Sequence, residues 1–90
     1  HNPLGPICTA ASVHLGAAVP NFAWLEINLE RANNPDFEIF PEQLVFAGNG
    51  YEVPETPGLG VDVDETKLTK PFEFWEPPHP HRADGSHTNW

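Results

Sequence analysis

Two residues of this sequence, His1 and Glu26, have the types and positions expected of an acid–base pair. Glu26 stands near the end of an apolar segment, where a carboxylate must be satisfied because burying a charge is costly. His1 stands directly before a loop and a helix, where a preceding strand would end. Residues at the C-terminal ends of strands in a β/α barrel point into the active site. The two residues would then occupy equivalent positions on consecutive βα units; the alternative is a glutamate bonded to nearby backbone and a histidine without function.

The other candidate groups favour structural roles. His14 lies on the apolar face of a predicted helix, where a hydrogen-bonded core histidine is more common than a ligand. Cys8 is the single cysteine and closes no intramolecular disulfide, so we expect a small buried hydrophobe. His79, His81 and His87 have no flanking cysteines and no carboxylate motif. Their spacing therefore predicts no specific metal site.

Acidic and glycine-rich stretches also lack the patterns of known sites. The acids of residues 62–65 do not follow the EF-hand pattern and are expected on a solvated strand edge. The sequence contains no P-loop, no dinucleotide-binding fingerprint and no nucleophile elbow.

An uncharged segment, residues 1–25, precedes Glu26. Its proline-free stretch, residues 7–19, is shorter than the roughly 20 residues that a membrane-spanning helix needs, so no membrane span is predicted. Small and apolar residues recur at helical spacing and predict a helix over residues 5–18, with Pro6 in its first turn. The face that we expect to be buried consists of Ile7, Ala10, Ala11, His14, Leu15 and Ala18.

The alternating pattern of residues 22–29 predicts a strand, with Leu25 and Ile27 on one face and Trp24 and Glu26 on the other. A helix followed at once by a strand, neither with a free polar face, is typical of an α/β sheet covered on both sides. Such a sheet needs several strands, and we expect the others to come from sequence before His1.

The second half of the chain is predicted to be irregular. Residues 44–46 and 51–53 flank an Asn49-Gly50 pair and predict a hairpin. Residues 61–64 alternate like a short strand, and Asp64 is a candidate cap for a helical turn.

Loops and an extended tail complete the prediction. Residues 31–36 have the composition of a loop, and the proline-rich residues 71–90 are expected to be extended.

The 90 residues allow at most one small domain. The net charge of −9 argues against nucleic acid and anionic membranes as partners.

Four segments, taken in order, carry a family resemblance. They are His1-Asn-Pro-Leu-Gly-Pro6, Pro20-Asn21-Phe22 ahead of Glu26, Pro57-Gly-Leu-Gly-Val-Asp-Val-Asp-Glu65, and Arg82-Ala-Asp-Gly-Ser86 with Trp90. Together they resemble the mandelate racemase/muconate lactonizing branch of the enolase superfamily, and within it the galactonate dehydratase-like sugar-acid dehydratases.

The resemblance implies an α/β fold, the C-terminal portion of a (β/α)7β barrel followed by a hairpin and coil segment that returns to a capping domain. Residues 1–30 would contain the end of strand 7, helix 7 and strand 8, and residues 31–90 would pack on the capping domain. His1 matches the general acid/base at the end of strand 7. Glu26 matches the acid at the end of strand 8, which contacts the substrate carboxylate and the developing enolate.

The resemblance also implies an Mg²⁺-dependent lyase that converts a sugar acid into a 2-keto-3-deoxy sugar acid. The metal ligands and the opposing acid or base would lie outside these residues, so the chain alone is expected to be inactive. The intact enzyme would be cytoplasmic and homo-oligomeric. A racemase or cycloisomerase of the same superfamily remains an alternative, as does a non-enzymatic acidic interaction module.

Overall fold

The computed structural model describes residues 4–71 and 80–88. Its longest element is a helix, α1 (Pro6–Ala18), as the sequence predicts. Pro6 occupies the first turn, where its missing N–H is not needed. The helix ends where the N–H of Val19 donates to the Leu15 carbonyl, because Pro20 follows and disfavours a helical conformation at Val19.

The prediction of a strand over residues 22–29 is wrong, because these residues do not form a regular strand. Residues 22–26 have no ladder, Ile27 forms an isolated bridge, and a short helix, α2 (Leu29–Asn33), begins at Leu29. A strand is stabilised by a neighbouring strand, and the described residues provide no ladder partner for residues 22–26. The alternation is nevertheless visible in burial, since Leu25 and Ile27 are half-buried and the residues between them and beside them are exposed.

Helix α2 also corrects the loop predicted for residues 31–36. Its cap is Asn28, whose side-chain oxygen accepts a hydrogen bond from the N–H of Arg31 at 3.1 Å. Capping satisfies one of the N–H groups that a helix start leaves without a partner. The five residues of α2 end before Pro35, consistent with the restriction that proline places on the preceding residue.

A hairpin forms where it is predicted, with a shifted turn. Strands β1 (Phe46–Ala47) and β2 (Gly50–Tyr51) pair antiparallel, with Phe46 opposite Tyr51 and Ala47 opposite Gly50. The turn is therefore Gly48-Asn49, and not Asn49-Gly50. Gly48 has a φ of +64° and Asn49 does not have a positive φ, which is the order a type II′ turn requires.

Residues 54–67 fold back on the segment before the hairpin. The N–H groups of Asp62 and Asp64 donate to the carbonyls of Glu42 and Ile39, both at 2.9 Å. These isolated bonds replace the strand predicted for residues 61–64. Asp64 caps a 3₁₀ turn, Glu65–Lys67, as its sequence position predicts.

The described part of the tail is a tight turn and not the extended chain that we predict for residues 71–90. His81 and His87 form an antiparallel bridge around the intervening turn, in which Gly85 has a φ of +82°. Residues 72–79 and 89–90, like His1, lie outside the described residues.

Little apolar surface is buried. Among the described residues, Ala10 is the buried hydrophobic residue, and much of the predicted buried face of α1 is exposed, including Ile7 and Leu15. An apolar helix face is buried only where another element packs against it. The described residues do not cover the part of this face that contains Ile7 and Leu15.

Candidate functional site

Glu26, the predicted strand-end acid, lies on an exposed position of the segment that follows α1. The Phe22 ring holds this segment against the helix at Gly16, where a Cβ atom would lie 3.0 Å from two ring carbons. Half-buried Leu25 and Ile27 flank Glu26, so burial alternates along this segment. His1 is outside the described residues, so its relation to Glu26 stays a prediction.

An apolar groove of about 680 Å³ runs beside Glu26, and Glu26 does not line it. Its walls come from the C-terminal half of α1, the 22–29 segment and the hairpin, and include Val13, Phe22, Trp24, Phe46 and Val53. Such a lining suits apolar side chains better than a charged sugar acid. Within the groove, burial raises the pKa of the Tyr51 phenol.

His14 is a half-buried residue whose Nε2 lies 3.3 Å from the Leu59 carbonyl oxygen. In this hydrogen bond the imidazole donates and connects α1 to the loop before Gly60. The hydrogen bond predicted for His14 is observed, but the predicted placement in the core is wrong, because the residue is only half-buried. Cys8 is half-buried, and so less buried than predicted.

The acidic residues 62–65 form a capping structure. Asp64 accepts hydrogen bonds from the Thr66 hydroxyl at 2.6 Å and the Thr66 N–H at 3.0 Å, and these bonds lower the pKa of its carboxyl. Asp62 bonds to the N–H of Val63 at 2.9 Å. Across residues 4–71 and 80–88, no three His, Cys, Asp or Glu side chains are grouped so that they could hold a metal ion.

The structure brings together one pair of candidate residues that the spacing along the chain does not indicate. The rings of His81 and His87 are 4.5 Å apart, because the Arg82–Ser86 turn reverses the chain between them. The sequence signal for this turn is the Asp84-Gly85-Ser86 run, in which aspartate and glycine are frequent turn residues.

The family described as "Enolase C-terminal domain-like" matches residues 1–67. The chain belongs to this family, whose fold is of the β/α-barrel type. No solved structure matches the chain significantly.

Relatives that match the whole chain include a D-galactonate dehydratase family member RspA from Halomonas elongata (37% identical), a D-galactonate dehydratase family member from Streptomyces bingchenggensis (37%), and a D-galactonate dehydratase family member ManD from Chromohalobacter salexigens (32%). The alignments cover 100% of this chain but 22–23% of the relatives, so the chain spans less than a quarter of their length. They agree with the predicted resemblance to the C-terminal part of such a protein.

Among the described residues, no helix is both long enough and apolar enough to cross a bilayer.

Proposed function

We propose that this chain is the C-terminal part of an acid-sugar dehydratase, a carbon–oxygen lyase. The observation that carries the proposal is the match of the entire chain to three proteins named as D-galactonate dehydratase family members. The resemblance assigns acid/base chemistry to His1 and substrate contact to Glu26. The exposed position of Glu26 supports this assignment, because a residue that contacts substrate must be accessible. A cytoplasmic location and homo-oligomeric assembly belong to the same proposal.

The reaction is the loss of water from a sugar acid. A base removes the proton next to the carboxylate, an acid protonates the departing β-hydroxyl, and the resulting enol becomes a 2-keto-3-deoxy acid. The α proton is weakly acidic, so the base needs a pKa near neutrality and the enolate needs strong stabilisation. His1 has the side chain suited to proton transfer at neutral pH. Glu26 would donate a hydrogen bond to the enolate from its protonated form, or share a proton with the substrate carboxylate.

Magnesium, which the enolase superfamily uses beside a lysine or histidine base, is not accommodated by the described residues. Mg²⁺ takes carboxylate oxygens in near-octahedral geometry, and no suitable group of acids is present there. In the proposal its ligands come from other parts of the intact enzyme, and the chain alone is inactive.

The intact enzyme tests the class of reaction. We expect incubation with a panel of sugar acids and Mg²⁺ to release a 2-keto-3-deoxy acid, measured by its semicarbazone absorbance. Change of optical rotation without a keto product would favour the racemase alternative, and an isomeric lactone would favour a cycloisomerase. Absence of all three activities would contradict the enzyme proposal.

Two substitutions in the intact enzyme test the residues. We expect His1→Asn and Glu26→Gln each to lower kcat by at least about 100-fold, the usual loss for an acid–base or oxyanion group. Glu30→Gln is the matched control, because Glu30 is an exposed acid four residues away in α2. Near-normal turnover in either site variant, at unchanged folding, would remove that residue from the mechanism.

A further inference from the structure

The hairpin of residues 80–88 holds two imidazoles side by side. His81 and His87 have ring centroids 4.5 Å apart and a ring tilt of 43°. The backbone bonds on either side, Arg82 N–H to the Ser86 carbonyl at 2.8 Å and Thr88 N–H to the Pro80 carbonyl at 3.0 Å, make this a non-hydrogen-bonded pair. Cross-strand side chains approach most closely in such pairs.

The turn itself keeps the two rings in place. Asp84 accepts hydrogen bonds from the N–H and hydroxyl of Ser86 at 2.9 and 2.7 Å. Gly85 donates to the Arg82 carbonyl at 2.9 Å, with the positive φ that glycine adopts readily. The pair is therefore arranged by local contacts before any ligand binds, which lowers the entropic cost of binding.

Charge also permits a cation at this position. The nearest cationic side chain in sequence, Arg82, donates to the His87 carbonyl oxygen at 2.8 Å and lies one residue from His81. Successive strand side chains leave the backbone on opposite faces, so the side chains of Arg82 and His81 start from opposite faces of the hairpin. The chain as a whole carries a net charge of −9, which favours cations.

We propose that His81 and His87 form a two-imidazole chelate for a divalent transition metal of the Ni²⁺, Cu²⁺ and Zn²⁺ group. With metal–nitrogen distances of about 2.0–2.1 Å, rings at adjacent coordination positions have centroids about 4.5–5 Å apart. Imidazole nitrogen suits these metals, and Cu²⁺ binds most tightly in this series. Water completes the coordination. The site differs in ligand chemistry from a magnesium centre, which takes oxygen ligands, and stands independently of the proposed dehydratase function.

Calorimetric titration of the intact protein with Cu²⁺, in Mg²⁺ to occupy any oxygen-ligand site, tests the pair. His1→Ala is the background for every variant, because an imidazole proposed to lie in the active site can bind copper itself. We expect one Cu²⁺ per chain, and at least a tenfold rise in Kd for His81→Gln and for His87→Gln, because either change removes the chelate. The double variant should lose stoichiometric binding. The controls, His14→Gln and His79→Gln, should change Kd less than threefold.

The Gly85→Val variant tests whether metal binding depends on the hairpin or only on two histidines being close in sequence. It keeps both imidazoles but places a β-branched residue at a φ of +82°, which disfavours the turn. We expect its Kd for Cu²⁺ to rise at least tenfold. Unchanged affinity in Gly85→Val, loss confined to one of the two histidine variants, or equal loss on replacing His79 would each overturn the proposal.

Discussion

Three aspartates in this chain shape the backbone around them with the same chemistry. Asp64 and Asp84 each accept the N–H and hydroxyl of a Thr or Ser two residues later, and Asp36 accepts the N–H groups of residues 38 and 39. Short carboxylates compete well for nearby backbone N–H groups, which is why aspartate is frequent in turns and caps. The carboxylates of these three aspartates therefore have a structural role.

The Asp64 cap predicts a pH dependence. The Thr66 hydroxyl, followed by the Thr66 N–H and the charge of Lys67, lowers the pKa of the Asp64 carboxyl. A lowered pKa in the folded chain means that the ionised carboxylate stabilises the fold above the unfolded pKa near 3.8, and that this stabilisation is lost as the pH falls through the lowered value. We expect Thr66→Val in the intact protein to raise the pKa of Asp64 toward its ordinary value, measured by carboxyl ¹³C NMR titration.

Thr69→Val is the control for this titration, because Thr69 lies outside the cap and its substitution should leave the pKa of Asp64 unchanged. A pKa of Asp64 that does not respond to Thr66→Val would show that the hydroxyl bond is not its cause.

At the scale of elements, the sequence predicts structure where the stabilising contacts are local. Helix α1 forms as predicted because its backbone bonds close within the segment. The 22–29 segment keeps its alternating burial but has no ladder, because a strand's partners come from distant sequence. The turn shifted to Gly48-Asn49 since either glycine of the Gly-Asn-Gly run supplies a positive φ, and composition alone does not choose between them.

The candidate site residues also differ in whether the sequence predicts their arrangement. The exposure of Glu26 follows from the alternation, which the sequence shows. The His81–His87 pair does not, because its approach depends on the register of a turn five residues long. Likewise, the prediction of a loop at residues 31–36 did not consider Asn28, which lies outside those residues and caps α2.

The loop before Asp62 gives a prediction at this scale. Gly60 has a φ of +73°, and a Cβ atom there would lie 2.6 Å from Cγ of Pro54. Gly58 has a similar φ of +79° but open space around it, and so is a matched control. Alanine at either position costs about 1–2 kcal/mol of backbone strain, and Gly60→Ala adds the clash with Pro54.

Hydrogen exchange at the Asp62 and Asp64 amides, which bond back to Glu42 and Ile39, reports the opening of this loop. We expect exchange in Gly60→Ala to be at least tenfold faster than in Gly58→Ala, which corresponds to about 1.4 kcal/mol. Equal exchange rates in the two variants would show that the Pro54 ring moves aside at no cost in free energy.

At the scale of the whole molecule, the chain exposes more surface than a compact monomer does. Its accessible area is 7541 Å², whereas a folded monomer of 10.0 kDa exposes about 5,200 Å². Its radius of gyration is 16.1 Å, against about 12 Å for a compact domain of this length. Trp24 is 91% exposed, and large hydrophobic residues on α1 are exposed with it. These values favour a chain that packs against other protein surfaces over a self-sufficient interaction module.

The exposed apolar surface predicts the behaviour of the 90-residue chain alone. Large contiguous apolar patches promote association, since burying them releases about 25 cal/mol per Å². We expect the chain to bind the dye ANS, to sediment as species larger than a monomer, and to give broad amide NMR signals. The combined variant Trp24→Ser/Leu29→Ser should lower ANS fluorescence at least twofold, because both residues are exposed and line the groove. Leu68→Ser, at a position as exposed as Leu29 that does not line the groove, should change it little. A monomer with sharp, dispersed amide signals and no ANS binding would show instead that the chain covers its own apolar faces, and would favour the interaction-module alternative over the dehydratase fragment.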